Sequence, residues 1–133
     1  MNAIAKEWAP VVGRILIGLL FLPAGISKIG GWAGTAGYMA SKGVPLVSVA
    51  LALTILIEIG ASLMIIFGYR ARLAAGIIFL WLIPVTLVMH NFWAADAAHQ
   101  MTQQIMFFKN VALMGTMLLI VGMGSGPKSL KKD

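Results

Sequence analysis

Four apolar runs, each long enough to cross a bilayer and separated by short links, constrain this chain more than anything else in it. A helix needs about 20 apolar residues to span the roughly 30 Å of bilayer hydrocarbon. The runs fall at about residues 8–29, 46–67, 73–92 and 105–123. With 60% hydrophobic and 11% charged residues among 133, the chain has too little polar surface to clothe a soluble core. The fold expected is all-α, one integral-membrane domain over residues 1–133 built as a four-helix bundle.

The punctuation agrees with this layout. Gly30, Gly31 and Gly43-Val44-Pro45 mark the first link, while Gly124, Gly126 and Pro127 close the last helix. Pro23 and Pro84 fall inside spans, where kinks are expected. The first run is longer than a signal-peptide core, contains Arg14 and is followed by no clean small-residue cleavage site, so it reads as a retained span. Lys6, Arg70, Arg72, Lys128, Lys131 and Lys132 collect on one side if the spans alternate, against Lys42 and the helix-end Lys28 and Lys109 on the other. Both termini are therefore expected in the cytoplasm. Trp32, Tyr38 and Trp93 suit the outer headgroup layer and Trp8 the inner one.

The net charge of +6 is accounted for by orientation, since the basic residues form no helix or aromatic-interleaved groove for nucleic acid. The chain has no cysteine, which excludes disulfides, thiol relays and cysteine-ligated clusters. Any electrons would be carried by another molecule.

Ionisable groups inside the runs cost a few kcal/mol each and need a reason. Glu58 lies near the middle of the second span, on a stripe with Thr54 and Ser62 and beside the small Gly60 and Ala61. The first span carries its own stripe of Arg14, Gly18, Phe21, Gly25 and Lys28. Counting depth from the helix ends makes Arg14 and Glu58 the expected intramembrane ion pair, either a structural lock or a substrate or proton site. Arg14-x-x-x-Gly18-x-x-Phe21-Leu22 also recurs as Arg72-x-x-x-Gly76-x-x-Phe79-Leu80, the pattern of a parallel repeat of two hairpins.

A second polar group gathers at the opposite, outer ends of the spans: Lys28, His90, Asn91, Lys109 and Asn110. Together they outline an electropositive ligand-binding pocket, against the plainer reading that the lysines snorkel to headgroups. The His90 imidazole can donate to or accept from a quinone-type carbonyl or hydroxyl, although a buried structural histidine is the commoner outcome. Haem ligation by His90 and His99 has no other support in the chain, and Asp96 with His99 are too few ligands for a metal. The nine methionines need be no more than adaptable packing. No nucleophile–base pair or phosphate-cradling loop is present, so no catalytic residue is assigned.

With these residues placed, the chain resembles the DoxX family of small bacterial inner-membrane proteins over nearly its whole length. The resemblance rests on Arg14 followed by Phe21-Leu22-Pro23-Ala24-Gly25-Ile26-Ser27-Lys28, Gly43-Val44-Pro45, Glu58, Gly68-Tyr69-Arg70-Ala71-Arg72, His90-Asn91-Phe92-Trp93 and Phe108-Lys109-Asn110. The family's usual ending resembles Gly-x-Gly-x-x-Ser-Leu-Asp, from which Gly122-Met123-Gly124-Ser125-Gly126-Pro127-Lys128-Ser129-Leu130-Lys131 departs by displacing the acid. The resemblance implies four spans and an inner-membrane location. Relatives include the small membrane subunit of an archaeal thiosulfate:quinone oxidoreductase, and distant ones act as cargo receptors or assembly chaperones. Two functions stay open. One is a membrane subunit or accessory of an oxidoreductase, non-catalytic itself, that carries no covalent cofactor and presents a quinone or quinol to a partner. The other is an assembly factor or carrier binding a lipid, small molecule or protein partner, with self-association into a homo-oligomer through small-residue faces.

Overall fold

The computed structural model describes residues 2–133 and is helical throughout its spans, with no strand among those residues beyond one isolated bridge between Tyr69 and Lys131. Helix α1 covers Ala3–Gly30, α2 Trp32–Ser41, α3 Val47–Phe67, α4 Ala71–Met89 and α5 Gln100–Met123. Four of these are long and apolar enough to cross a membrane. The fifth, α2, lies in what reads from sequence as a loop.

Local chemistry sets the boundaries. Asn2 caps α1, its side-chain oxygen accepting from Ile4 N at 2.7 Å and Ala5 N at 3.3 Å. Helix α1 continues through Pro10 and Pro23, and α4 through Pro84. Helix α3 ends at Gly68, whose φ of 67° is left-handed and whose added Cβ would sit 2.9 Å from Ser129 Cα. Glycine is required there on both counts.

Helix α1 packs along α3, α3 against α4, and α4 against α5, while α2 leans on α3. The common core is Phe21, Ala61, Ile65, Ala74, Ala75, Ile78, Leu82 and Met117. Three of these are alanines, which let backbones approach closely where lipid offers no hydrophobic drive to association. Leu16, Leu19, Leu56, Leu80 and Leu119 point outward, as lipid-facing side chains should.

The seam between α1 and α3 fixes their relative height. A Cβ on Gly18 would fall 2.2 Å from Ile66 Cγ1, and one on Gly25 would fall 2.9 Å from Glu58 Cβ and 3.3 Å from Ile59 N. Gly25 is therefore level with Glu58, and Gly18 with the last turn of α3. This corrects the expected pairing of Arg14 with Glu58. Arg14 lies eleven positions before Gly25, so its Cα is about 16 Å along the axis from the level of Glu58, beyond an arginine's reach. Lys28 is only about 4.5 Å along the axis from Gly25, and it takes the carboxylate instead.

Gly25→Ala is expected to destabilise the bundle by about 1–3 kcal/mol, because the new methyl meets backbone and a Cβ that cannot swing away. Gly18→Ala should cost less, since Ile66 can rotate its flexible end aside. Unfolding free energies in mixed micelles test this, and equal costs for the two would contradict the assigned register.

The C-terminal segment folds back on the α3–α4 turn. Leu130 N donates to Phe67 O at 3.0 Å, Arg70 N to Lys131 O at 2.9 Å, and Ala71 N to Ser125 Oγ at 3.1 Å, which caps α4. Arg14 holds the same segment, donating from Nη1 to Ser125 O at 2.5 Å and Pro127 O at 2.9 Å, and from Nη2 to Lys128 O at 3.3 Å. Arg72, its counterpart in the repeat, lies against Gly124. The repeat thus places both arginines at one end of the bundle. It fails at the glycines, since Gly18 meets a neighbouring helix and Gly76 meets nothing.

Candidate ligand site at the end opposite the termini

Glu58 sits in a single turn of π-helix, Ile57–Ala61, within α3. Such a turn carries one residue more than an α-turn and leaves carbonyls short of partners. Ser62 supplies them, its hydroxyl donating to Glu58 O and, at 3.0 Å, to Ile59 O. The stripe of Thr54, Glu58 and Ser62 therefore splits its duties: Ser62 repairs the backbone, Thr54 accepts from Trp81 Nε1 at 3.2 Å, and Glu58 turns to α1.

Lys28 Nζ lies 2.7 Å from Glu58 Oε1, with Glu58 buried and Lys28 partly accessible. A carboxylate at this depth needs such a partner, because burying an uncompensated ion costs several kcal/mol. The pair forms one wall of a cavity of about 340 Å³ lined by all five helices. Its lining is largely apolar, from Leu20, Phe21, Ala24, Leu82, Val85 and Leu113, with a few polar groups converging on it.

Four of the five side chains expected at an outer pocket line this cavity: Lys28, His90, Lys109 and Asn110. Asn91 does not. Its side-chain oxygen accepts from Lys42 Nζ at 2.9 Å, which turns the amide toward the link between α2 and α3. Asn110 is 5% exposed and its side chain lines the cavity, where an amide can both donate to and accept from a ligand. Lys109 is exposed and has only Met106 Sδ, at 3.7 Å, beside its ammonium.

His90 Nδ1 is 2.8 Å from Gln103 Oε1, Gln103 Nε2 donates to Tyr38 OH at 3.2 Å, and Tyr38 OH donates to Met89 O at 3.0 Å. Because Gln103 Oε1 can only accept, Nδ1 is the donor of this pair, and Nε2 is the ring nitrogen left for a ligand. Tyr38, Thr35 and Met39 come from α2, and together with Gln103 they are the site residues that sequence reading missed. The available signal was the spacing of 35, 38 and 39, one face of a short helix. Beyond this site, Phe92, Trp93, Phe107 and Phe108 cluster, edge to face at 5.2–5.8 Å between centroids except for the tilted Phe92–Phe108 pair at 6.1 Å, tying the α4–α5 link to α5.

Asp96 and His99 pair with each other in that link, Nδ1 to Oδ1 at 2.7 Å, and the hydrogen bond from His99 holds the Asp96 carboxyl below its usual range. No third metal-ligating side chain groups with them among the described residues.

The DoxX family profile matches residues 9–91, more than half the chain. Two Escherichia coli K12 proteins match along most of their length. The inner membrane protein YphA is 30% identical over 122 residues, covering 92% of this chain and 87% of that protein. The inner membrane protein YqjF is 35% identical over 122 residues, covering 92% and 88%. No solved structure matches significantly.

Proposed function

The chain belongs to the DoxX family of multi-pass inner-membrane proteins, and from that premise we propose that it is a non-catalytic quinone-holding accessory of a membrane oxidoreductase. The observation that carries this reading is a ring-sized, mostly apolar cavity on which the Lys28–Glu58 pair, His90, Lys109 and Asn110 all converge. A quinone carbonyl accepts from Asn110 Nδ2 or a lysine ammonium. A quinol hydroxyl donates to a carboxylate or to His90 Nε2. The same groups therefore accommodate both redox states, while the isoprenoid tail stays in the hydrocarbon. With no cysteine and no bound redox centre of its own implied by sequence, the chain would present the ligand to a partner subunit that moves the electrons. By the excess of lysine and arginine near the termini, the cavity opens toward the outer leaflet.

Mass spectrometry on protein extracted gently from its own membranes tests this. Quinone is expected enriched over the bulk lipid in the wild type and lost in the Lys28→Met, Asn110→Leu double variant. No enrichment in the wild type sinks the quinone reading. Retention of another lipid or of a protein partner instead would favour an assembly or carrier role for the same cavity.

A further inference from the structure

A second cavity, of about 320 Å³, opens at the other end of the bundle, between α1 and α5 where no close helix–helix interface joins them. Its walls are apolar, from Pro10, Gly13, Ile17, Leu119, Ile120 and Met123, and it ends against Arg14 and the backbone of residues 124–127. Arg14 is 5% exposed, yet every partner it has is neutral: the carbonyls of Ser125, Pro127 and Lys128 and the Ser129 hydroxyl. Its Nε has no hydrogen-bond partner, and no carboxylate lies within ion-pairing distance among the described residues. Neutral acceptors satisfy the guanidinium's protons without cancelling its charge. The acid at this end, Asp133, accepts from Ser125 Oγ at 3.3 Å and does not pair with Arg14. With Lys128 counted, the polar end of the groove keeps a cationic excess.

Lys128 adds to that field. Its backbone is held left-handed at φ 54°, its carbonyl accepts from Arg14, and its ammonium stands 4.7 Å over the Trp8 ring. A tryptophan with a cation on its face is the arrangement of a membrane headgroup layer. An apolar slot with a cationic end at that level fits a phospholipid with an anionic headgroup in both shape and charge.

We propose that the groove between α1 and α5 is a binding site for an anionic glycerophospholipid of the leaflet on the side of the termini. One acyl chain lies along Gly13, Ile17 and Leu119, and the phosphate is drawn by Lys128 and by the field of Arg14. The site is separate from the cavity at Lys28 and does not depend on what that cavity holds.

Native mass spectrometry of the full chain in detergent, titrated with phosphatidylglycerol or phosphatidylcholine, tests the proposal. Phosphatidylglycerol is expected to bind at least roughly fivefold more tightly, the effect of about one basic group at a surface. Lys128→Gln should bring the two lipids toward parity. Gly13→Phe, at a position where an added Cβ meets nothing within 4 Å, should fill the groove and weaken both lipids without disturbing the helix. Equal affinity for the two lipids in the wild type, or unchanged binding in Gly13→Phe, would overturn the proposal. Competition by glycerol 3-phosphate at the lipid's own effective concentration would also overturn it, assigning the site to a soluble anion.

Discussion

Lys28→Met is expected to lower the unfolding free energy by about 3 kcal/mol, because it leaves Glu58 buried in the bundle with no cation beside it. This is the low end for a broken buried pair. Lys28 keeps 26% of its side chain accessible, so part of the electrostatic interaction is already screened. Lys28→Met combined with Glu58→Gln should recover most of the loss, since the amide carries no charge to bury. The comparison to make is a double-mutant cycle in mixed micelles: strong coupling between positions 28 and 58, and none between 14 and 58. If Arg14→Gln coupled to Glu58→Gln as strongly as Lys28→Met does, the register drawn from Gly18 and Gly25 would be wrong.

Arg14→Gln should act at the other end. It removes the donors that hold three carbonyls and a hydroxyl of residues 125–129, bonds that a charged donor strengthens to about 1.5–3 kcal/mol each relative to an unsatisfied acceptor. The Ser125 carbonyl is buried and those of Pro127 and Lys128 are part-buried, so water replaces only part of what is lost once the segment opens, and the net cost is expected near 3 kcal/mol. Most of it should appear as local opening of the segment after α5, because the core of α1, α3 and α4 makes no use of Arg14. Limited proteolysis after Lys128 and Lys131 should accelerate at least tenfold while the four spans stay protected, and an unchanged cleavage rate would contradict the clamp.

The four spans were legible because lipid imposes its thickness on the sequence: each apolar run corresponds to one long helix. Their ends were less so. Helix α1 begins at Ala3, with Lys6 and Glu7 already inside it, and α5 begins at Gln100 ahead of its apolar run. Hydropathy marks where the hydrocarbon stops, whereas hydrogen bonding and caps such as Asn2 decide where a helix stops. Helix α2 escaped notice because Gly34, Gly37 and only ten residues gave no span-length signal.

The polar lining of the cavity was legible in part, and its geometry was not. Lys28, His90, Lys109 and Asn110 could be grouped because all sit near helix ends on one side. Glu58 belongs with them, but counting depth along separate helices assigned it to Arg14. The relative height of two helices is set by which small residue receives which side chain, here Gly25 against Ile59, and a single sequence does not display that contact. The π-turn was equally hidden, since Ile57–Ala61 reads as ordinary helix until Ser62 is seen serving two carbonyls.

The most direct test of a quinone site at the Lys28–Glu58 cavity is photolabelling of the membrane-embedded protein with a photoreactive quinone, mapped by peptide mass spectrometry. Labels are expected on Phe21, Ala24, Trp81 and Leu113, competed away by unlabelled quinone. Labels spread over lipid-facing positions such as Leu16, Leu80 and Leu119, with no competition, would contradict it.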